Sequence, residues 1–257
     1  MRKLGDYKPY LETVLKAISE KTEFYSDVDL PTVFIDNPKL IVTVNHASPL
    51  SWLPAVSLMT KECCERGAAD RYPRGIMHKF FFDIPLLKPL AEYITQSDHF
   101  QGFDELIEDF KSATHPADLV VMPEGSNCFF GDPREIQDFK SPRFLEIAIR
   151  TGCPVLVGVH EGSEDWGIPI KLKEEWKVLL GFLPSKLATP LAKSGIFTIP
   201  GLPMRMAKFR MLVDIYHPDL KKEELLSDEE RLRSQLWFEA EKLHRKMKEM
   251  QVRLKGI

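Results

Sequence analysis

The chain predicts an α/β fold: a mostly parallel central sheet covered by helices. Three observations carry that expectation. Short apolar runs of strand length, at residues 40–44, 119–122 and 155–160, alternate with longer stretches of helical periodicity. Continuous Val, Ile and Leu runs of this kind mark parallel strands buried on both faces. Two of the runs end in polar clusters, Asn45-His46-Ala47-Ser48 and Pro123-Glu124-Gly125-Ser126, and open α/β sheets place their sites at the carboxyl ends of strands.

The elements follow in order. Leu11, Val14, Leu15 and Ile18 form an i, i+3, i+4, i+7 stripe, which predicts a helix over residues 8–21. Strands are expected at 32–35, 40–44, 75–78, 119–122, 155–160 and 211–216. Helices are expected at 49–66, 86–93, 103–112, 142–150 and 228–254. The last opens with Ser227-Asp228-Glu229-Glu230, a capping-box arrangement. Its stripe of Leu232, Leu236, Ala240, Leu243, Met247, Met250 and Leu254 predicts docking against the body of the protein. The 257 residues are read as a single domain, 1–257, with an N-terminal helical segment at 1–30 and a C-terminal helix at 221–257.

Composition narrows the function. A net charge of -3 argues against a nucleic-acid binder, which normally needs a basic excess. Cys63, Cys64, Cys128 and Cys153 lack metal-ligand spacing, and the adjacent pair would form a strained disulfide, so reduced thiols in the cytoplasm are expected. No run approaches the ~18 apolar residues of a spanning helix. His78, His99, His115, His160, His217 and His244 form no ligand-spaced pair, and Glu161-Gly162-Ser163-Glu164-Asp165 reads as a solvated loop. No metal and no cofactor is assigned.

Ser48-Pro49 signals a helix start, an N-cap followed by proline at N1. Ser51 then falls at N3, where its side chain points back toward the incoming chain and His46. An imidazole at a strand end, beside a helix start, suits a general base. Gly125 permits close backbone approach, and the Ser126 hydroxyl both donates and accepts.

Together and in this order, the two clusters resemble the PlsC-like glycerolipid (lysophosphatidate) acyltransferase family. The likeness extends through Lys79-Phe80-Phe81-Phe82-Asp83-Ile84-Pro85-Leu86 and through Lys140-Ser141-Pro142-Arg143 to the strand at 155–159. The resemblance implies that His46 deprotonates an acceptor hydroxyl as it attacks an acyl thioester, acyl-CoA or acyl carrier protein. It implies that Glu124, Gly125 and Ser126 bind the acceptor, with Lys79 and Lys140 as further contacts. Two departures stand out. The family aspartate that orients the imidazole is Ser51 here, which carries no charge. Neutralising an orienting aspartate costs a triad hydrolase about 10⁴ in turnover, so another group must hold His46, with Asp83 and Asp104 as candidates. The family arginine after the threonine is Asn127, and no arginine occurs at residues 91–97. Either the acceptor lacks a phosphate monoester, or Lys79, Lys140 or Arg143 supplies the charge.

Between Lys177 and Val213 no acidic residue occurs, and Lys177, Lys186, Lys193, Arg205, Lys208 and Arg210 interleave with apolar residues including Leu179, Leu180, Leu183, Leu202 and Met204. That pattern predicts contact with an anionic membrane surface. The expected protein is a cytoplasmic, peripherally membrane-associated acyltransferase of lipid metabolism that acylates a lysophospholipid or related lipid hydroxyl. Two rivals stand beside it: a lipid-binding pseudoenzyme of the same fold, and a serine esterase using Ser51 or Ser126. The esterase lacks a G-x-S-x-G elbow.

Overall fold

The computed structural model describes residues 1–173, 175, 182 and 184–257. Leu179, Leu180, Leu183 and Lys177 of the basic–apolar segment lie outside the described residues. A six-stranded sheet runs in the order β1-β8-β5-β2-β4-β3. Its strands are β1 (Ser19–Ser26), β2 (Lys39–Val44), β3 (Tyr72–Gly75), β4 (Ala117–Val121), β5 (Val155–Glu161) and β8 (Met206–Tyr216). β3, β4, β2 and β5 are mutually parallel, whereas β8 runs antiparallel to β5 and carries β1 parallel to itself. The carboxyl ends of β2, β4 and β5 therefore share one edge of the sheet with the start of β8. A separate two-stranded sheet pairs β6 (Gly167–Lys171) with β7 (Ile196–Pro200), flanked by helix α8 (Ser185–Ser194).

Helices cover both faces, as buried parallel strands demand. Along β2, Leu40, Val42 and Val44 pack with Leu15 of α1 (Leu4–Ile18), Leu30 and Val33 of α2 (Leu30–Asp36), and Ala55, Leu58 and Met59 of α3 (Trp52–Cys63). Ile41 faces the opposite layer, with α6 (Phe103–Ser112), α7 (Arg143–Thr151) and the long α9 (Glu229–Gly256). Leu236, Ala240, Leu243, Met247, Met250 and Leu254 of α9 are buried, so the predicted stripe docks on the sheet. Asp228 caps that helix by accepting from the Arg231 N–H. The short α4 (Phe80–Asp83) and α5 (Lys88–Thr95) follow β3.

Several assignments change, among them the strand expected at 75–78, which lies earlier in the chain as β3, and β6, β7 and α8, which were not expected. Residues 32–35 were expected as a strand but lie in α2, because Asp29 caps the first turn and Pro31 occupies its start, and both outweigh the β-branched pair Thr32-Val33. β1 went unpredicted: its sequence is largely polar, as suits an edge strand that pairs only with β8. The helix after His46 begins at Trp52 rather than Pro49, since residues 49–51 form a tight turn.

Candidate functional site

β2 and β4 deliver the two motifs to the same place. The His46 backbone N–H donates to Glu124 Oε1 at 3.2 Å, and the Glu124 side chain is fully buried. The glutamate arrives there because the chain after β4 turns at once, with Gly125 N–H bonding to the Met122 carbonyl at 3.0 Å. Gly125 sits at φ +49°, in the left-handed region where glycine is tolerated best. Lys140 lies against the same turn: its N–H donates to the Pro123 carbonyl at 2.7 Å, and its side-chain stem borders Gly125. Ser126 is exposed beside them.

Buried polar groups are normally hydrogen-bonded. Among the described residues, the buried side-chain atoms without a partner are both ring nitrogens of His46, Ser48 Oγ, Glu124 Oε2 and Thr43 Oγ1. Four of these five atoms belong to the two motifs and the fifth to the end of β2. The unpartnered buried polar atoms among the described residues thus concentrate where the two motifs meet, and each can exchange a hydrogen bond with a group that enters there.

His46 is partly exposed, yet both ring nitrogens are sealed from solvent. Burial lowers its pKa to about 4, and the nearby backbone of Pro49 and Gly125 only partly offsets this. Glu124 moves the other way. Burial raises its carboxyl to about 8, against its backbone contacts, including the one to His46. At neutral pH the site therefore holds a neutral imidazole beside a neutral carboxyl.

Ser51 does not touch the ring. Its Oγ donates to the Ser48 carbonyl at 2.8 Å and accepts from the Ser48 N–H at 3.0 Å. Ser51 lies in the turn just before α3 rather than at N3 of the helix, and its hydroxyl is consumed by the Ser48 backbone. The expected orientation of His46 by Ser51 is thereby corrected. Asp83 and Asp104 are exposed, and neither bonds the ring. Glu124, expected as an acceptor contact, braces the His46 backbone through Oε1, while its Oε2 has no partner. Lys79 is exposed at the head of α4, and among the described residues it makes no hydrogen bond or ion pair with His46 or Glu124. Arg143 lies over the Phe103 ring at 5.0 Å.

Sequence reasoning missed His160. β2 and β5 pair with Val44 opposite Gly158, and continuing that register two residues brings His46 opposite His160. His160 is fully buried, and its Nε2 lies 2.8 Å from the Asn45 carbonyl. A carbonyl only accepts, so Nε2 carries the proton and Nδ1 faces Ser163 Oγ at 3.5 Å. The Asn45 side chain closes the pair, accepting from the His160 N–H at 2.7 Å and donating to its carbonyl at 3.3 Å. Burial lowers His160 to about 4, with a further push from the neighbouring His46. The signal was present in sequence as a histidine ending the third apolar run, but strand register was needed to use it. The 161–165 segment is also less solvated than expected: Ser163 is buried, and Glu161 pairs with Arg210 of β8.

Among the described residues no cluster of three or more His, Cys, Asp or Glu side chains could hold a metal ion, and no helix is long and apolar enough to cross a membrane. Comparison of the chain with protein-family models, curated proteins and solved structures returns no match.

Proposed function

We propose that this protein transfers a fatty acyl group from a thioester to a hydroxyl of a lysophospholipid or related lipid acceptor, with His46 as general base. The observation that carries this reading is the convergence of His46 with the Glu124–Gly125 turn, from separate strands, amid unpartnered buried polar atoms. His46 at about 4 is neutral at physiological pH, the form a base requires. One ring nitrogen takes the acceptor O–H proton as the hydroxyl oxygen bonds to the thioester carbon. The C–S bond then breaks, and the imidazolium returns the proton to the departing thiolate. Ester and free thiol result, with no acyl-enzyme. Because both nitrogens are covered, the reading requires the segments over the ring to move before an acceptor binds. Ser126 and Lys140 border the turn and are the groups offered to the acceptor, and Lys140 supplies the cation a phosphate would need.

The same reading includes docking on an anionic membrane in the cytoplasm. β6, the loop before β8, and α4–α5 expose Ile168, Ile170, Leu202, Met204, Phe80 and Leu86, and each of these segments adjoins the sheet edge that carries His46.

A specific observation favours the rival reading, a lipid-binding pseudoenzyme: Ser51 is spent on backbone and no carboxylate orients the ring. Thioester release measured with a panel of hydroxyl acceptors, phosphorylated and neutral, separates the two. An active wild type, reduced at least 100-fold by His46→Ala, is expected. A silent wild type that gains activity on Ser51→Asp overturns the proposal in favour of the pseudoenzyme.

A further inference from the structure

The peptide group joining Asn45 to His46 is gripped at both ends by buried ionisable side chains. Its carbonyl accepts from His160 Nε2 at 2.8 Å, and its N–H donates to Glu124 Oε1 at 3.2 Å. One grip comes from the end of β5 and the other from the turn after β4, on the two strands that flank β2. The Asn45 amide fastens the same junction by two further bonds to the His160 backbone, and the Asn45 N–H donates to the Gly158 carbonyl at 3.3 Å. The His160 ring is backed by Phe209 of β8, with ring centroids 5.3 Å apart. His46, by contrast, receives no side-chain hydrogen bond on its ring.

We propose that His160 is a positioning residue for His46, acting with Glu124 through the Asn45–His46 peptide to hold the imidazole where an orienting carboxylate is missing. The proposal rests on the acyltransferase reading for its kinetic consequence, but not for its structural one. Holding this peptide from both sides fixes where the His46 Cα–Cβ bond points, and so the region its ring can occupy. Positioning matters steeply at a reacting group, where a displacement on the order of 1 Å costs about 10²-fold in rate. His160 itself touches no reacting atom. A glutamine at this position retains an N–H donor near the site of Nε2, whereas leucine fills similar space without one.

The test compares wild type, His160→Gln and His160→Leu by thermal unfolding, by kcat and KM for thioester release, and by the NMR resonances of the His46 ring. In His160→Leu, kcat is expected to fall about 100-fold with KM little changed, and the His46 ring signals to shift. His160→Gln restores both. Asn45→Ala opens the same clamp from β2, carries the same expectation, and replaces His160→Leu if that variant does not fold. Wild-type kcat and an unmoved His46 signal in a folded His160→Leu overturn the proposal. So does an equal loss in folded Gln and Leu variants, because the donor is then irrelevant. If His46→Ala releases thioester as fast as wild type, the acyltransferase reading fails, and the His46 ring signals still decide the clamp.

Discussion

At the scale of single residues, the site replaces charge with burial, and this has a consequence for stability. His46 and His160 protonate at about 6.5 when unfolded and at about 4 in the folded protein. Below pH 6.5 the unfolded chain therefore binds the extra protons, and stability is lost as pH falls toward 4. Glu124 behaves oppositely. It ionises near 4.5 when unfolded and near 8 when folded, so its contribution is complete below 4.5 and is lost as pH rises toward 8. For these three groups together, stability climbs with pH up to about 6.5 and then declines. Glu124→Gln retains an oxygen to accept the His46 N–H but removes the titration. The fall in unfolding midpoint between pH 6.5 and 8 is expected to shrink in this variant, while the acid loss remains. An alkaline fall as steep as that of wild type would refute the raised carboxyl. The same residues show what was legible beforehand. His46 and Glu124 were readable because each ends an apolar strand. That Ser51 sits at a helix start was readable, but its place in the turn before Trp52 and its partner were not, because a backbone N–H and carbonyl compete for a hydroxyl wherever they lie closer than a ring.

Among elements, the opposite end of the sheet holds the strongest polar tie. Arg71 lies just past the wide turn that ends α3 and reaches Asp118 of β4 through three bonds of 2.6–3.0 Å. It also donates to the Phe34 and Asn37 carbonyls at the end of α2. Both side chains are almost fully buried, and burial pushes the Asp118 carboxyl up while Arg71 pulls it down. Removing one partner of a buried pair leaves an uncompensated charge, at a cost of about 3–5 kcal/mol. Asp118→Ala is therefore expected to lower the unfolding free energy by that amount in urea titration. Below its transition it should still bind acceptor, since the pair lies far from His46. A loss under 1 kcal/mol would show that water reaches Arg71. This tie could not be read from sequence, because its members lie 47 positions apart. What could be read were the elements that decide their own state locally. α6 was expected at 103–112 and occurs there, and β2, β4 and β5 are apolar enough to fall within a residue or two of their expected ends. α2 and β1 could not be read in the same way, because a cap overrides propensity in the first and pairing with β8 alone defines the second.

For the molecule as a whole, the direction of the strands decides which surface meets lipid. β5 ends and β8 begins at the edge that carries His46, so both β6, which follows β5, and residues 201–205, which precede β8, are brought there. The basic–apolar segment divides accordingly. Phe209, Met211 and Val213 are core residues of β8, and Arg210, Lys208 and Lys193 are paired with Glu161, Glu23 and Asp138. Leu202 and Met204 remain exposed beside Arg205, which has no ion pair among the described residues, with Ile168 and Ile170 on the neighbouring strand. Burying a Leu or Met side chain in an apolar phase contributes at least about 1.5 kcal/mol. Losing two such anchors therefore weakens partition by roughly 3 kcal/mol, on the order of 100-fold. Leu202→Asp combined with Met204→Asp should release the protein from anionic vesicles in co-sedimentation by about that factor while leaving its unfolding midpoint unchanged, since neither side chain contributes to the core. Raised salt should weaken the wild type too, because Arg205 acts through a screened surface charge. Equal sedimentation of wild type and double variant would move the membrane face away from the site edge. The exposed Phe80 and Leu86, which follow β3 at that same edge, would then have to be substituted separately before the edge itself is abandoned.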